Sequence, residues 1–71
     1  MDQDTLLDLV AELTEVDRDS ITMESSLEDL EWDSLCNISL IAAVDEETGK
    51  TLSGDDLKAC TTVADLFALA S

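Results

Sequence analysis

The sequence predicts an all-α fold: a small four-helix bundle of three longer helices and one short one, with a long loop between the first two. Three observations carry that expectation. Apolar residues recur at helical spacing in three stretches, residues suited to capping stand before those stretches, and no segment sustains the period-two alternation of a half-buried strand. Proline is absent and only two glycines occur, so caps and periodicity, rather than hard breaks, set the boundaries.

Leu6, Leu9, Val10 and Leu13 fall at i, i+3, i+4 and i+7, with Leu7 widening the stripe, which predicts a first amphipathic helix at roughly residues 4–15 with Asp4 as its cap. Val16 to Trp32 breaks the pattern. Ile21, Met23, Leu27 and Leu30 are its spaced apolar anchors, and a short helical turn is expected near Ser26 to Asp29. Loops of that length are uncommon in small domains unless they serve a purpose. The second helix is expected to start at Asp33 or Ser34 and run to Thr48, where Gly49 supplies a left-handed C′ position and Lys50 a cation beyond the end. Between Leu35 and Val44 only Asn37 and Ser39 are polar, which predicts a helix buried over much of its circumference and central to the bundle. A short third helix is expected within Ser53 to Cys60, contacting through Leu52 and Leu57. Thr62 and Asp65 then form a near capping box, and Val63, Leu66, Phe67 and Ala70 the inward stripe of a last helix.

At 71 residues the chain is expected to be a single domain, 1–71, near the lower limit at which one core holds, with no room for a catalytic cleft besides. Eighteen Asp and Glu against Arg18, Lys50 and Lys58 give a formal charge of −15. That field repels nucleic acid and anionic membranes and attracts basic patches on other proteins. Cys36 and Cys60 form no disulfide framework, Met1-Asp2-Gln3-Asp4 is acidic where a secretory signal would be basic, and the run Leu35 to Val44 is too short for a bilayer. A monomer in a reducing cytoplasm, with no membrane insertion, is the expectation.

Histidine is absent, which excludes Ser/His and Cys/His nucleophile pairs. Asp17, Asp19 and Glu28 have the first, third and twelfth spacing of a calcium loop, but Ile21 and Thr22 stand where an oxygen ligand and a glycine are needed, so no metal site is expected. Asp33-Ser34-Leu35 is the most informative motif. A serine where a helix begins offers an exposed hydroxyl beside free backbone N–H groups suited to an attached phosphate. By itself the tripeptide also fits an ordinary helix start. Cys36 does not share the face of Ser34 and reads as a small core residue, and Trp32 as a packing residue.

With those residues in place the chain resembles an acyl carrier protein over essentially its whole length. The resemblance runs through Leu27-Glu28-Asp29-Leu30, Trp32-Asp33-Ser34-Leu35, the apolar helix, Asp45-Glu46-Glu47-Thr48-Gly49, Leu52-Ser53, Asp55, Leu57 and Thr61-Thr62-Val63-Ala64-Asp65-Leu66. It implies a non-enzymatic carrier in which a phosphopantetheinyl transferase joins 4′-phosphopantetheine from coenzyme A to Ser34, with Asp33 supporting the modification. The terminal thiol then carries acyl groups as thioesters for fatty-acid, lipid or polyketide-type biosynthesis. Partners, the acyl-loading and acyl-processing enzymes with basic docking patches, are expected to recognise Leu35, Ser39, Ala42, Asp45 and Glu46.

Cys36 and Ser39 stand where many fatty-acid carriers have acidic residues, Ala42 replaces a common bulky contact, and Trp32 replaces a small or aliphatic residue. These departures favour a specialised carrier over a housekeeping one. The competing reading, from charge alone, is an unmodified acidic helical adaptor that docks onto a basic protein through its second helix.

Overall fold

The structure, a computed structural model, describes residues 1–70. Four helices occur in the order α1 (Gln3–Thr14), α2 (Ser34–Thr48), α3 (Gly54–Lys58) and α4 (Val63–Ala70), and no β-strand forms among the described residues. α1 packs on α2 and α4, and α3 bridges α2 and α4. Leu6, Val10, Leu40, Val44, Val63 and Leu66 close the centre of the bundle with no solvent exposure.

Local caps explain most boundaries. α1 starts one residue earlier than its expected bounds because Asp2, not Asp4, is the cap: the Asp2 carboxylate accepts from the Thr5 N–H at 2.8 Å. Both acids were eligible, and Asp4 instead pairs with Arg18. α2 ends where Gly49 turns left-handed at φ 75° and its N–H reaches the Asp45 carbonyl at 2.8 Å. At the start of α4, the Asp65 carboxylate accepts from the backbone N–H groups of Thr61 and Thr62, while the Thr62 hydroxyl accepts from the Asp65 N–H at 3.3 Å. That is the expected capping box.

The long connection has more structure than the sequence suggested. A 3-10 turn, Arg18–Ser20, hangs on α1 because Arg18 reaches Asp8 at 2.9 Å and Asp4 at 3.5 Å. Further on, the loop is sewn to α4: Leu27 N–H donates to the Thr61 carbonyl, Val63 N–H to Ser25 and Ala64 N–H to Met23, around an isolated bridge between Ser26 and Thr62. Ile21 and Leu27 are buried beneath it. The helical turn expected at Ser26 to Asp29 is a single turn rather than a helix. It closes as a Schellman motif, with Trp32 N–H on the Leu27 carbonyl and Glu31 N–H on the Glu28 carbonyl, and Glu31 takes φ 58° at the place usually held by glycine.

The expectation of a mostly buried α2 is corrected: Leu40 and Val44 alone are fully buried on it, while Leu35 is 71% and Ile38 62% exposed. Because α1 and α3 cover only one side of α2, its outer apolar residues meet solvent. α3, Gly54–Lys58, is the short helix expected within Ser53 to Cys60.

Fifteen uncompensated negative charges crowd a molecule with a radius of gyration of 10.6 Å. Moving from low to moderate ionic strength is therefore expected to raise the melting temperature by several degrees, since each kcal/mol of repulsion relieved shifts a domain of this size by about 4–8 °C. Thermal denaturation across a salt series checks this, and a flat midpoint would show that the charges are already too far apart to matter.

Candidate functional site

The geometry of the site begins with the Schellman turn. By reversing the chain at Glu31 it delivers Trp32 into the crease between loop and bundle and leaves Asp33 extended at φ −122° and ψ −175°. Asp33 is then the N-cap of α2: its carboxylate accepts from the Cys36 N–H at 3.0 Å and its carbonyl from the Asn37 N–H at 3.1 Å. Ser34 follows as the first residue of the helix, and it is exposed. A primary hydroxyl is thus displayed at the positive end of the α2 dipole, where developing negative charge is favoured.

The Cys36 N–H holds the Asp33 carboxyl below the usual carboxylate range. A carboxyl whose value is depressed by folding stabilises the fold above its unfolded value, and that contribution is lost as pH falls through the lower, folded value. Protonation of Asp33 in acid, or Asp33→Ala at neutral pH, is therefore expected to fray the first turn of α2, whereas Asp33→Asn keeps a cap. Amide exchange at Cys36 reads this directly. Exchange unchanged in Asp33→Ala would show that the cap does not hold the turn.

Around Ser34 the chain forms two surfaces. On one side, an open groove of about 520 Å³ runs between the loop, α2 and α3, with Leu27, Trp32, Ser34, Asn37, Leu57 and Lys58 among its walls. The Trp32 indole Nε1–H donates to the Asn37 side-chain oxygen, which fixes the ring across the start of the helix. Trp32 also packs against the core, as its expected packing role requires.

On the other side lies the outer face of α2. Leu35, Ala42, Asp45 and Glu46 are exposed on it, and Ser39 is half-buried in a crease toward Leu13 of α1. At 100° per residue these positions, with Ile38, span about 120° of the helix. Sequence reasoning missed Ile38. No pattern in the sequence marked it, because its place three residues after Leu35 and roughly opposite Leu40 gains meaning only once Leu40 is seen to enter the core. Cys36, expected in the core, is only half-buried, with its thiol 3.9 Å from the Leu13 carbonyl and burial pushing its pKa up.

No helix among the described residues is long and apolar enough to cross a membrane. The residues present fit a phosphate-linked prosthetic group, since an unobstructed serine hydroxyl stands at a capped helix start beside a groove large enough for a flexible arm.

Comparison with known proteins agrees with that chemistry. Residues 4–70 match the family described as "Phosphopantetheine attachment site". An acyl carrier protein of Clostridium perfringens is 38% identical over 64 residues, covering 89% of this chain and 84% of that protein. The acyl carrier protein AcpXL of Brucella melitensis is 43% identical over 47 residues, covering 65% of this chain and 50% of that protein. Matched over nearly all of its length, the chain belongs to the phosphopantetheine-attachment family as an acyl carrier protein, a non-enzymatic carrier whose cofactor is 4′-phosphopantetheine.

Proposed function

We propose that Ser34 is the residue that bears the phosphopantetheine and that residues 1–71 act as one carrier domain for acyl intermediates of a specialised biosynthetic pathway. The observation that carries this reading is the placement of Ser34, exposed at the first position of α2 directly after an Asp cap. When attached, the group supplies a flexible arm ending in a thiol that holds acyl groups as thioesters.

The chain's own residues do the rest. Helix α2 holds the Ser34 oxygen where the dipole favours the negative charge of a phosphodiester. Asp33 engages one carboxylate oxygen with the Cys36 N–H, fixing the turn, and stays ionised at neutral pH, so it can meet a metal ion or ammonium group brought by the transferase. Buried Leu40 and Val44 anchor α2 in the bundle core, which fixes where on the surface the first residue of the helix stands.

Partner enzymes dock on the outer face of α2. Leu35 and Ile38 supply apolar contact, Ala42 and Ser39 leave room beside them, and Asp45 and Glu46 meet basic patches on the partner, which speeds encounter and disfavours wrong partners. The competing reading, an unmodified acidic adaptor, is set aside by the match to the phosphopantetheine-attachment family. Trp32, Cys36, Ser39 and Ala42 support partners other than the housekeeping fatty-acid enzymes, and the acidic, two-thiol composition supports a monomer in a reducing cytoplasm.

Incubation with coenzyme A and a broad-specificity phosphopantetheinyl transferase is expected to add one phosphopantetheine to the wild type and none to Ser34→Ala, read by intact mass spectrometry. An adduct of equal yield on Ser34→Ala would reject Ser34 as the attachment residue.

A further inference from the structure

Resting on Ser34 as the point of attachment and on α2 as the docking face, we infer that Trp32 is a positioning residue for the modification of Ser34. Its indole N–H, bonded to Asn37, holds the first turn of α2 in the placement that the transferase engages. Three observations lead there.

The first is that this turn overhangs the core. Leu40 is the first buried residue of α2, six positions after Ser34, so about 9 Å of helix projects beyond it. Leu35 and Ile38 on that stretch are mostly exposed. Burial of Leu40 and Val44 sets the course of the helix, and tilting of the overhanging turn is the freedom that burial leaves.

The second is where the turn is tied. The Asp33 cap is internal to it: the carboxylate and carbonyl of Asp33 accept from the N–H groups of Cys36 and Asn37, which keeps the turn helical without fixing it against the rest of the molecule. Among the described residues two contacts reach outward. The Cys36 thiol, a weak donor, lies 3.9 Å from the Leu13 carbonyl of α1, and the Asn37 side-chain oxygen accepts from the Trp32 indole Nε1–H in a part-buried bond. The indole bond is the stronger tie.

The third is that Trp32 is itself held. It packs against the core, and its main-chain N–H donates to the carbonyl of buried Leu27, whose own N–H donates to the Thr61 carbonyl just before α4. A chain of contacts therefore runs from α4 through Leu27 and Trp32 to Asn37, and Ser34 lies inside the segment that the indole bond closes.

The kinetic consequence is specific. Ser34, Leu35 and Ile38 ride on one capped turn, so releasing it moves the hydroxyl and the apolar anchors together and leaves the docked complex unchanged. What falls is the fraction of carrier whose turn is in place before encounter, and apparent affinity falls in proportion. KM for the carrier rises while kcat stays.

Two substitutions test this on the apo protein, with a broad-specificity transferase and saturating coenzyme A. Trp32→Phe keeps a ring against the core and removes the donor, whereas Asn37→Ala removes the acceptor and favours the helix. Each is expected to raise KM about five-fold, the effect of one hydrogen bond, with kcat within about two-fold of the wild type. The double variant is expected to be no worse than the worse single, because both changes remove the same bond. The indole N–H, a single resonance in a chain with one tryptophan, is expected to exchange faster in Asn37→Ala than in the wild type. Leu69→Ala, at a half-buried position of α4 away from the turn, controls for lost stability and should leave KM unchanged. Trp32→Phe decides alone if Asn37→Ala does not fold. An unchanged KM in Trp32→Phe, a fall in kcat alone, additive losses in the double variant, equal indole exchange, or the same rise in Leu69→Ala overturns the inference, while the mass gain at Ser34 preserves the attachment reading. No mass gain at Ser34 in the wild type overturns both.

Discussion

Leu40→Ala is expected to remove a large share of the stability of this protein. Leu40 has no solvent exposure and is the principal side chain by which α2 enters the core, beside Leu6, Val10, Val44 and Leu66. Truncating a buried leucine costs about 2–5 kcal/mol, through lost transfer free energy and the cavity left behind. A chain of 71 residues has a total stability of roughly 4–11 kcal/mol at typical per-residue values, and this one also carries a charge of −15. The loss is therefore a large share of the whole, and at low salt a substantial unfolded fraction should appear. Urea denaturation followed by far-ultraviolet circular dichroism measures it. A midpoint close to that of the wild type would mean that α2 is not anchored through Leu40, and the presentation of Ser34 would need another explanation.

The converse result is expected on the opposite side of the same helix. Leu35→Ala with Ile38→Ala should leave the urea midpoint nearly unchanged, because both side chains are mostly exposed and little burial is lost. The rate of modification at Ser34 should nonetheless fall about 10- to 100-fold in kcat/KM, the range for removing apolar anchors at the centre of an interface. Asp45→Asn with Glu46→Gln, at the far end of the face, should act differently. It should slow association and flatten the dependence on salt more than it weakens the formed complex. The measurement is transferase kinetics over an ionic-strength series. A double alanine variant that is modified at the wild-type rate would move the docking surface elsewhere.

These two expectations concern one helix read from opposite sides, and the sequence did not separate the sides. Leu35, Ile38, Leu40, Ile41 and Val44 look alike in a run with only two polar residues, so periodicity pointed to burial around most of the circumference. Only the placement of α1 and α3 on one side decides that Leu40 and Val44 are core and that Leu35 and Ile38 form an exposed stripe. The loop was opaque for a related reason. Its hydrogen bonds join Met23, Ser25 and Leu27 to Ala64, Val63 and Thr61, and its reversal at Glu31 lacks the glycine that usually marks a Schellman turn. The neighbouring groove, with Lys58 and Asn37 on one surface, depends on that same distant pairing.

What the sequence by itself determined was set by short-range chemistry. The all-α class, the start of α2 at Asp33-Ser34, its end at Gly49 and the Thr62–Asp65 box before α4 each depend on a side chain and a backbone group within four residues of one another. Such contacts form wherever the chain places them, because their partners are fixed by covalent distance. Tertiary structure alone decided which side of α2 faces water, how the loop is tied to α4 and what lines the space beside Ser34. Those outcomes follow from burial and from pairing between segments far apart in the chain, and no local pattern of residues encodes which segment will arrive.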